Sequence, residues 1–259
     1  MTLSHVIQAL NLPEKCLVDK KITKAFFKRN FDMTSAERSL LDDANAIISI
    51  DWIASISPAN ANVPASQDDE ATFEEIQVIA VTTTAENLNK QATRIIDLIQ
   101  KYIPYHQLLV LTDGVRSVWN VAYKRINQND SSRRTVEKKF TTEPIDLECD
   151  NKIHNAFIDS LNFNNLASTD LRVLYDAYIQ CFVGLSTAAI LGTFEARPAD
   201  RTKEAVELLE QINQLEKEIA VLRSFAQKET QLNKRIELNT QLQQKRKQIE
   251  KLKNTLAST

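Results

Sequence analysis

The sequence predicts an α+β protein: a mixed β-sheet domain with packed helices, followed by an all-helical region and a C-terminal antiparallel coiled-coil hairpin. Three observations carry this. Residues 47–57, "IISIDWIASIS", alternate apolar and polar side chains with the period of a half-buried strand. Residues 106–113, "HQLLVLTD", form a short apolar run of the kind found in a strand covered on both faces. Residues 203–256 contain neither Gly nor Pro and repeat apolar positions at steps of three and four, as paired helices do.

Taken in order, residues 4–10 read as a helix closed before Pro13, and residues 22–30 as a second, with Ile22, Phe26 and Phe27 on one face. Thr34 and Glu37 form a Thr-x-x-Glu capping box, opening a third helix expected to reach Ala46. In the strand that follows, Ile48, Ile50, Trp52, Ala54 and Ile56 take one face, and Ser49, Asp51, Ser55 and Ser57 the other. Ile53 is the exception. Residues 58–72, rich in Pro, Asn and Asp, read as a loop. "EEIQVIAVTTT" (74–84) is the next strand. Thr83 and Glu86 repeat the capping pattern before a helix with Leu88, Ala92, Ile95, Ile96 and Ile99 on one face. After the 106–113 strand, Asp113-Gly114 supplies a hairpin turn into "VWNVAYKRI", and residues 135–145 give a final edge strand. The single strand–helix–strand unit among hairpins makes the sheet mixed.

From Asn151 the pattern is helical. Residues 177–194 carry no charge, and Gln180, Ser186, Thr187 and Thr193 mark them as a buried helix rather than a membrane span. Gly184, Ala188 and Gly192 recur every four residues, a row of small groups that lets another element approach. The expected domains are 1–146 (mixed sheet), 147–200 (helical region) and 201–259 (hairpin). In the last, one block of five Glu against three basic residues (203–223) precedes another of eight basic residues against three Glu (228–253). That opposition favours a turn near residues 227–232 over one continuous rod. The expected interaction seam is Leu209, Ile212, Leu215, Ile219, Leu222, Leu232, Ile236, Leu242, Ile249 and Leu252, with Asn239 filling one position.

Composition narrows function. Hydrophobic and charged fractions of 43% and 25% are those of a globular chain, and the net charge of −2 gives no bulk attraction to nucleic acid or anionic lipid. Three glycines, where average usage predicts about 18, cannot build a phosphate-binding loop or dinucleotide turn. Cys16, Cys149 and Cys181 are odd in number and far apart, consistent with reduced thiols in a cytoplasmic protein and with neither a zinc site nor a disulfide framework. Residues 1–15 lack the basic and apolar regions of a signal peptide.

Several stretches resemble the bacterial domain-of-unknown-function family 4391. "WIASISPANANV" (52–63) is similar to its W-x-x-x-[IL]-x-P segment, "EEIQVIAV" (74–81) to its E-I-Q-V strand, and "IPYHQLLVL" (103–111) to its I-P-Y/H strand entry. "KETQLNKRIELNTQLQQKRKQIEKL" (228–252) resembles its closing helix. The resemblance implies no activity. It implies a neighbourhood of restriction-type DNA methyltransferases and helicases, and so an accessory role in DNA modification or phage defence.

Candidate chemistry is sparse. Asp51, Glu75 and Gln77, in the order strand, strand, helix, strand, resemble the core of Mg²⁺-dependent PD-(D/E)xK nucleases, although the first strand of that meander is missing and Gln77 stands in place of Lys. The competing account is a polar strand surface. Lys124, Arg125, Arg133, Arg134 and Lys138 form the densest basic patch and are candidates for nucleic-acid contact; a lysine-protected edge strand accounts for them equally. His106 reads as structural, with no partner at ligand spacing. The leading expectation is a non-enzymatic cytoplasmic accessory protein without cofactor or metal. Its hairpin binds larger subunits such as a DNA methyltransferase or helicase, or a second copy. The alternatives are the nuclease and a nucleic-acid-binding module without chemistry.

Overall fold

A computed structural model describes residues 3–127, 134–146, 148–196 and 199–258. The chain divides into two compact units, Met1–Phe182 and Val183–Thr259.

The first unit opens with α1 (Leu3–Leu10), β1 (Leu17–Lys21), α2 (Lys24–Asn30) and α3 (Ser35–Asp42). β1 is a strand that sequence periodicity does not reveal: Ile22 N–H still bonds Ile50 O at 2.8 Å, and α2 begins only after Thr23, whose hydroxyl accepts from Phe26 N. The Thr34–Glu37 capping box is formed. Glu37 also accepts from Lys101 Nζ (2.6 Å) and Tyr102 Oη (2.9 Å), tying α3 to the following long helix. α3 ends at Asp42, four residues short of the expected Ala46, because the Asp43 carboxylate accepts from Asn45 N and Ala46 N and folds them into a turn.

β2 (Ser49–Ile56) leads to α4 (Pro58–Ala61), then β3 (Ser66–Gln67) and β4 (Thr72–Phe73), which pair antiparallel. The 58–72 segment is therefore a short helix and a small hairpin rather than plain loop. β5 (Ile76–Thr82), α5 (Ala85–Tyr102) and β6 (His106–Thr112) form the strand–helix–strand unit, with β5 and β6 parallel. The cap of α5 is Thr84, accepting from Asn87 N, and not Thr83, whose N–H extends the strand by bonding Thr112 O. Gly114 (φ +95°) makes the turn into β7 (Arg116–Ile126), followed by the edge strand β8 (Arg134–Thr141) and by β9 (Ile145–Asp146), paired with β7. The sheet order is β1-β2-β5-β6-β7-β8.

Helices cover both faces. Phe27 (α2), Leu40 and Leu41 (α3) and Leu88, Ile95 and Ile99 (α5) pack on Ile50, Ile79, Val81, Leu109 and Leu111. On the opposite face lies α7 (Leu171–Leu191), preceded by α6 (Lys152–Ser160), with Phe157 and Phe182 edge-to-face at 5.2 Å. β6 is buried along its whole length. α7 is long and apolar enough to cross a membrane, and 61% of its most apolar window is buried inside the protein.

β6 and β7 pair only from Leu109↔Asn120 onward. Where they part, the Tyr175 hydroxyl of α7 enters: it accepts from Ala122 N (3.0 Å) and has the carbonyls of Ala122 (2.9 Å) and Gln107 (3.2 Å) within reach of its proton. Lys124 Nζ crosses the same gap to Ile103 O (2.6 Å) and Tyr105 O (2.9 Å). Backbone groups that a continuous ladder would pair are thus satisfied by two side chains.

In the second unit, Gly192 (φ +80°) caps the end of α7, and residues 193–196 turn back on it. A Cβ at Gly184 would lie 2.4 Å from Glu195 O. α8 (Ala199–Lys228) and α9 (Leu232–Ser258) pack on each other as a hairpin, turning through residues 229–231. Glu229 Oε1 accepts from Gln231 N at 2.8 Å, so a side chain supports the turn where no glycine is present.

Two outcomes test these contacts by chemical denaturation. Gly184→Ala is expected to lose about 1–3 kcal/mol, since backbone must yield to the new methyl. Tyr175→Phe is expected to lose about 1–3 kcal/mol, because Ala122 N–H is left buried without an acceptor.

Candidate functional site

The nuclease-like constellation is not assembled. β1 does supply the strand expected to be missing from the meander, so the order of elements is present. The register is what fails. β2 pairs with β5 through Ile50↔Val81, Asp51↔Ala80 and Trp52↔Ile79, and a bulge at Ile53 then shifts the pairing to Ala54↔Val78 and Ser55↔Gln77. Asp51 shares the face of Ala80 and Val78, whereas Gln77, and Glu75 by the same alternation, take the opposite face with Ile79 and Val81. Glu75 is also five residues along β5 from the partner of Asp51, about 17 Å. Asp51 accepts from Ser49 Oγ at 2.6 Å, and Gln77 Nε2 donates to Glu75 at 3.2 Å. Gln77 aligns instead with Ser55 and Gln107 in a polar row across three strands. These residues do not fit a shared Mg²⁺, and among the described residues no group of three or more His, Cys, Asp or Glu could hold a metal ion.

The basic patch is also redistributed. Lys124, expected at a phosphate, is 2% exposed and holds the β6–β7 gap; burial keeps its amine well below the usual lysine pKa. Arg125 pairs with Glu137 (2.8 Å) and Glu70 (3.8 Å), and Lys138 lies 5.8 Å from the Phe140 ring centre. Arg133 lies outside the described residues. Arg134 lines a groove of about 330 Å³ between α5 and β8 with Lys101 and Lys139, which pair with Glu37 and Asp97 respectively. At its base is the buried Gln100. Asn120 Nδ2 donates to Phe140 O, so Asn120 Oδ1 must accept from Gln100 Nε2 (2.7 Å), and Gln100 Oε1 has no hydrogen-bond partner among the described residues.

His106 is structural, stacked 4.0 Å from Phe73 and edge-on to Tyr175 at 4.8 Å. Burial, with Lys124 close by, holds its pKa at about 3, against the ordinary 6.5.

The hairpin carries the most exposed large apolar side chains among the described residues, although Ile48 and Val115 in the first unit come close. On α8 the seam runs through Ala205, Leu208, Ile212, Leu215, Ile219, Leu222 and Ala226, all buried or half-buried at steps of three and four, with Thr202, Val206 and Glu218 buried or half-buried beside it. The seam therefore enters through Leu208, and Leu209 beside it is half-buried. On α9 it runs Leu238, Leu242, Lys245, Ile249, Leu252 and Leu256. Its continuation toward the turn falls on Arg235 and Gln231, so Leu232 and Ile236, expected in the seam, lie off it and are 61% and 55% exposed. Asn239 is exposed as well. Val221 and Phe225 on α8 are 54% and 59% exposed. Midway along, Lys245 bonds Glu218 across the hairpin, which lowers the Glu218 pKa. Sequence alternation alone does not find Leu238 as a seam residue; the heptad counted back from Leu252 through Lys245 does.

A helix-covered mixed sheet joined in sequence to a two-helix coiled coil defines an α+β protein carrying a helical hairpin. The chain belongs to the family described as Domain of unknown function (DUF4391), whose model matches residues 10–249. Neither curated proteins nor solved structures yield a match.

The buried histidine predicts a pH dependence. In the unfolded chain His106 takes up a proton near pH 6.5, in the fold only near about 3. The unfolded state binds more protons between these values, so stability falls as pH drops from 6.5 toward 3, by about 4 kcal/mol over the whole window. Thermal unfolding across this range should show a shallower decline in His106→Phe, which keeps the stack on Phe73.

Proposed function

We propose that this protein is a cytoplasmic, non-enzymatic accessory factor whose C-terminal hairpin binds other proteins. The observation that carries the proposal is the hairpin's own packing. Its seam covers one stripe of each helix, while Val221, Phe225, Leu232 and Ile236, close to the turn, stay more than half exposed. Apolar side chains gathered at one end of a charged helical pair are what a partner helix buries. The basic bias of α9 favours a partner surface with acidic flanks. The family resemblance supports larger subunits of a DNA restriction, modification or helicase system as partners. The dispersal of Asp51, Glu75 and Gln77 onto two faces supports a role without hydrolysis.

Leu232→Glu with Ile236→Glu in the full chain is expected to abolish capture of such a subunit, with circular dichroism and melting temperature unchanged. Undiminished capture sinks the reading.

A second reading, a nucleic-acid-binding module, is favoured by the α5–β8 groove with Lys101, Arg134 and Lys139 at its rim. Here Arg134→Ala with Lys139→Ala should weaken binding of single-stranded DNA and reduce the log–log salt slope by about 1 for each phosphate no longer neutralised. No salt-dependent binding by the unaltered chain rejects it.

A further inference from the structure

The α5–β8 groove holds a hydrogen-bond acceptor that the fold leaves unused. Gln100 is 1% exposed and lines the groove, and its amide nitrogen is committed to Asn120 Oδ1 on β7 (2.7 Å). The oxygen, the other branch of the same planar amide, has no partner among the described residues. Of the buried side chains with an unpartnered polar atom, Gln100 is the one that lines this groove. A buried acceptor without a donor bears a desolvation cost, which a ligand N–H reaching it relieves.

The second observation is how β8 is aimed. Its pairing with β7 runs Ala122↔Lys139 and Tyr123↔Lys138, then skips Glu137 and resumes at Lys124↔Val136 and Ile126↔Arg134. Strict alternation from Lys139 would set Val136 and Arg134 on the opposite face. The bulge at Glu137 brings all three to the face of Ala122 and Asn120, the one that α5 covers through Gln100. Glu137, out of the row, holds Arg125 (2.8 Å).

The lining therefore has three parts. Gln100 Oε1 at the base takes a donor. Val136 and the aliphatic stems of Lys101 and Lys139 give flanks on which a flat ring can lie. Three cations, Lys101, Arg134 and Lys139, stand at the rim, where Glu37 and Asp97 hold the two lysines. Both lysines are exposed, and their long chains can swing aside to open the base. A donor on a flat ring, tied to an anion, describes a nucleotide whose base bears an exocyclic amino group. Adenine, cytosine and guanine have one, and thymine has none.

We propose that this groove takes one such nucleotide, its amino group donating to Gln100 Oε1 and its phosphate lying against Arg134 and Lys139. The proposal rests on the nucleic-acid reading of the groove and adds to it a preference among bases. The same chemistry comes from a free nucleotide or from one nucleotide of a single strand, and the test separates them.

The test is fluorescence anisotropy with the full chain at about 50 mM salt. Three labelled single-stranded octamers are compared: oligo(dA), oligo(dT), and an oligo(dA) in which purine, lacking the 6-amino group, replaces adenine. Oligo(dA) should bind about tenfold more tightly than either of the others. Gln100→Met should bring oligo(dA) to the level of oligo(dT), and Arg134→Ala should weaken all three alike. The purine octamer leaves the protein unaltered, so it carries the test if Gln100→Met fails to fold. Displacement of oligo(dA) by AMP at the octamer's own concentration assigns the groove to free nucleotides; AMP without effect assigns it to a strand. Equal binding of the three octamers overturns base recognition and keeps the nucleic-acid reading. Binding of AMP over purine riboside monophosphate, with no octamer bound, removes the single-strand reading and keeps the site. No binding of any of them overturns both.

Discussion

The first unit depends on satisfying the backbone where β6 and β7 separate. A parallel-fed strand and a hairpin strand part before Leu109 on β6 and after Asn120 on β7, in a region where water cannot reach the carbonyls and N–H groups. Tyr175 and Lys124 supply the missing partners. The tyrosine does more than plug a gap, since it anchors α7 on the sheet and sets the ring that His106 meets edge-on and Phe73 at a tilt. An unpaired buried backbone group costs as much as a good part of a small domain's net stability, so these contacts are constraints and not ornaments. They also explain why burial lifts the Tyr175 phenol above its usual pKa and lowers the Lys124 amine: both serve as hydrogen-bonding groups in a dry interior.

The same constraint governs the polar residues that looked catalytic. A single extra residue, Ile53, turns the end of β2 over relative to its start. Asp51 and Gln77 each sit on a face that is polar by local alternation, yet the two faces are different sides of the sheet. Chemistry that needs two carboxyls around one cation is set by pairing register, and here the register keeps them apart.

In the second unit the controlling fact is one residue of heptad phase. Counting Leu232 and Ile236 as seam gives a hairpin that consumes its own apolar surface. The helices pair through Leu208, Ile212, Leu238, Leu242 and Ile249 instead, and the remaining apolar side chains face outward. A two-helix unit buries little, and its outward apolar pairs keep charge on either flank.

Much of the architecture was legible in the chain. The Thr34–Glu37 capping box, the alternation at the start of β2, the buried run of β6 and the Asp113-Gly114 turn are local signals, each set by residues close in sequence, and the opposite charge of the blocks that become α8 and α9 is read from composition. The mixed sheet and the helical hairpin follow from them. Other features were not legible, because their cause lies elsewhere in the chain. β1 is a strand because β2 offers an edge, and Thr83 is not a cap because Thr112 takes its N–H. Lys124 is a buried brace and not a phosphate contact because β6 diverges from β7. Composition and spacing set which residues prefer helix, strand or turn; only long-range pairing decides which face a strand shows, because backbone hydrogen bonds are satisfied between segments and not within them.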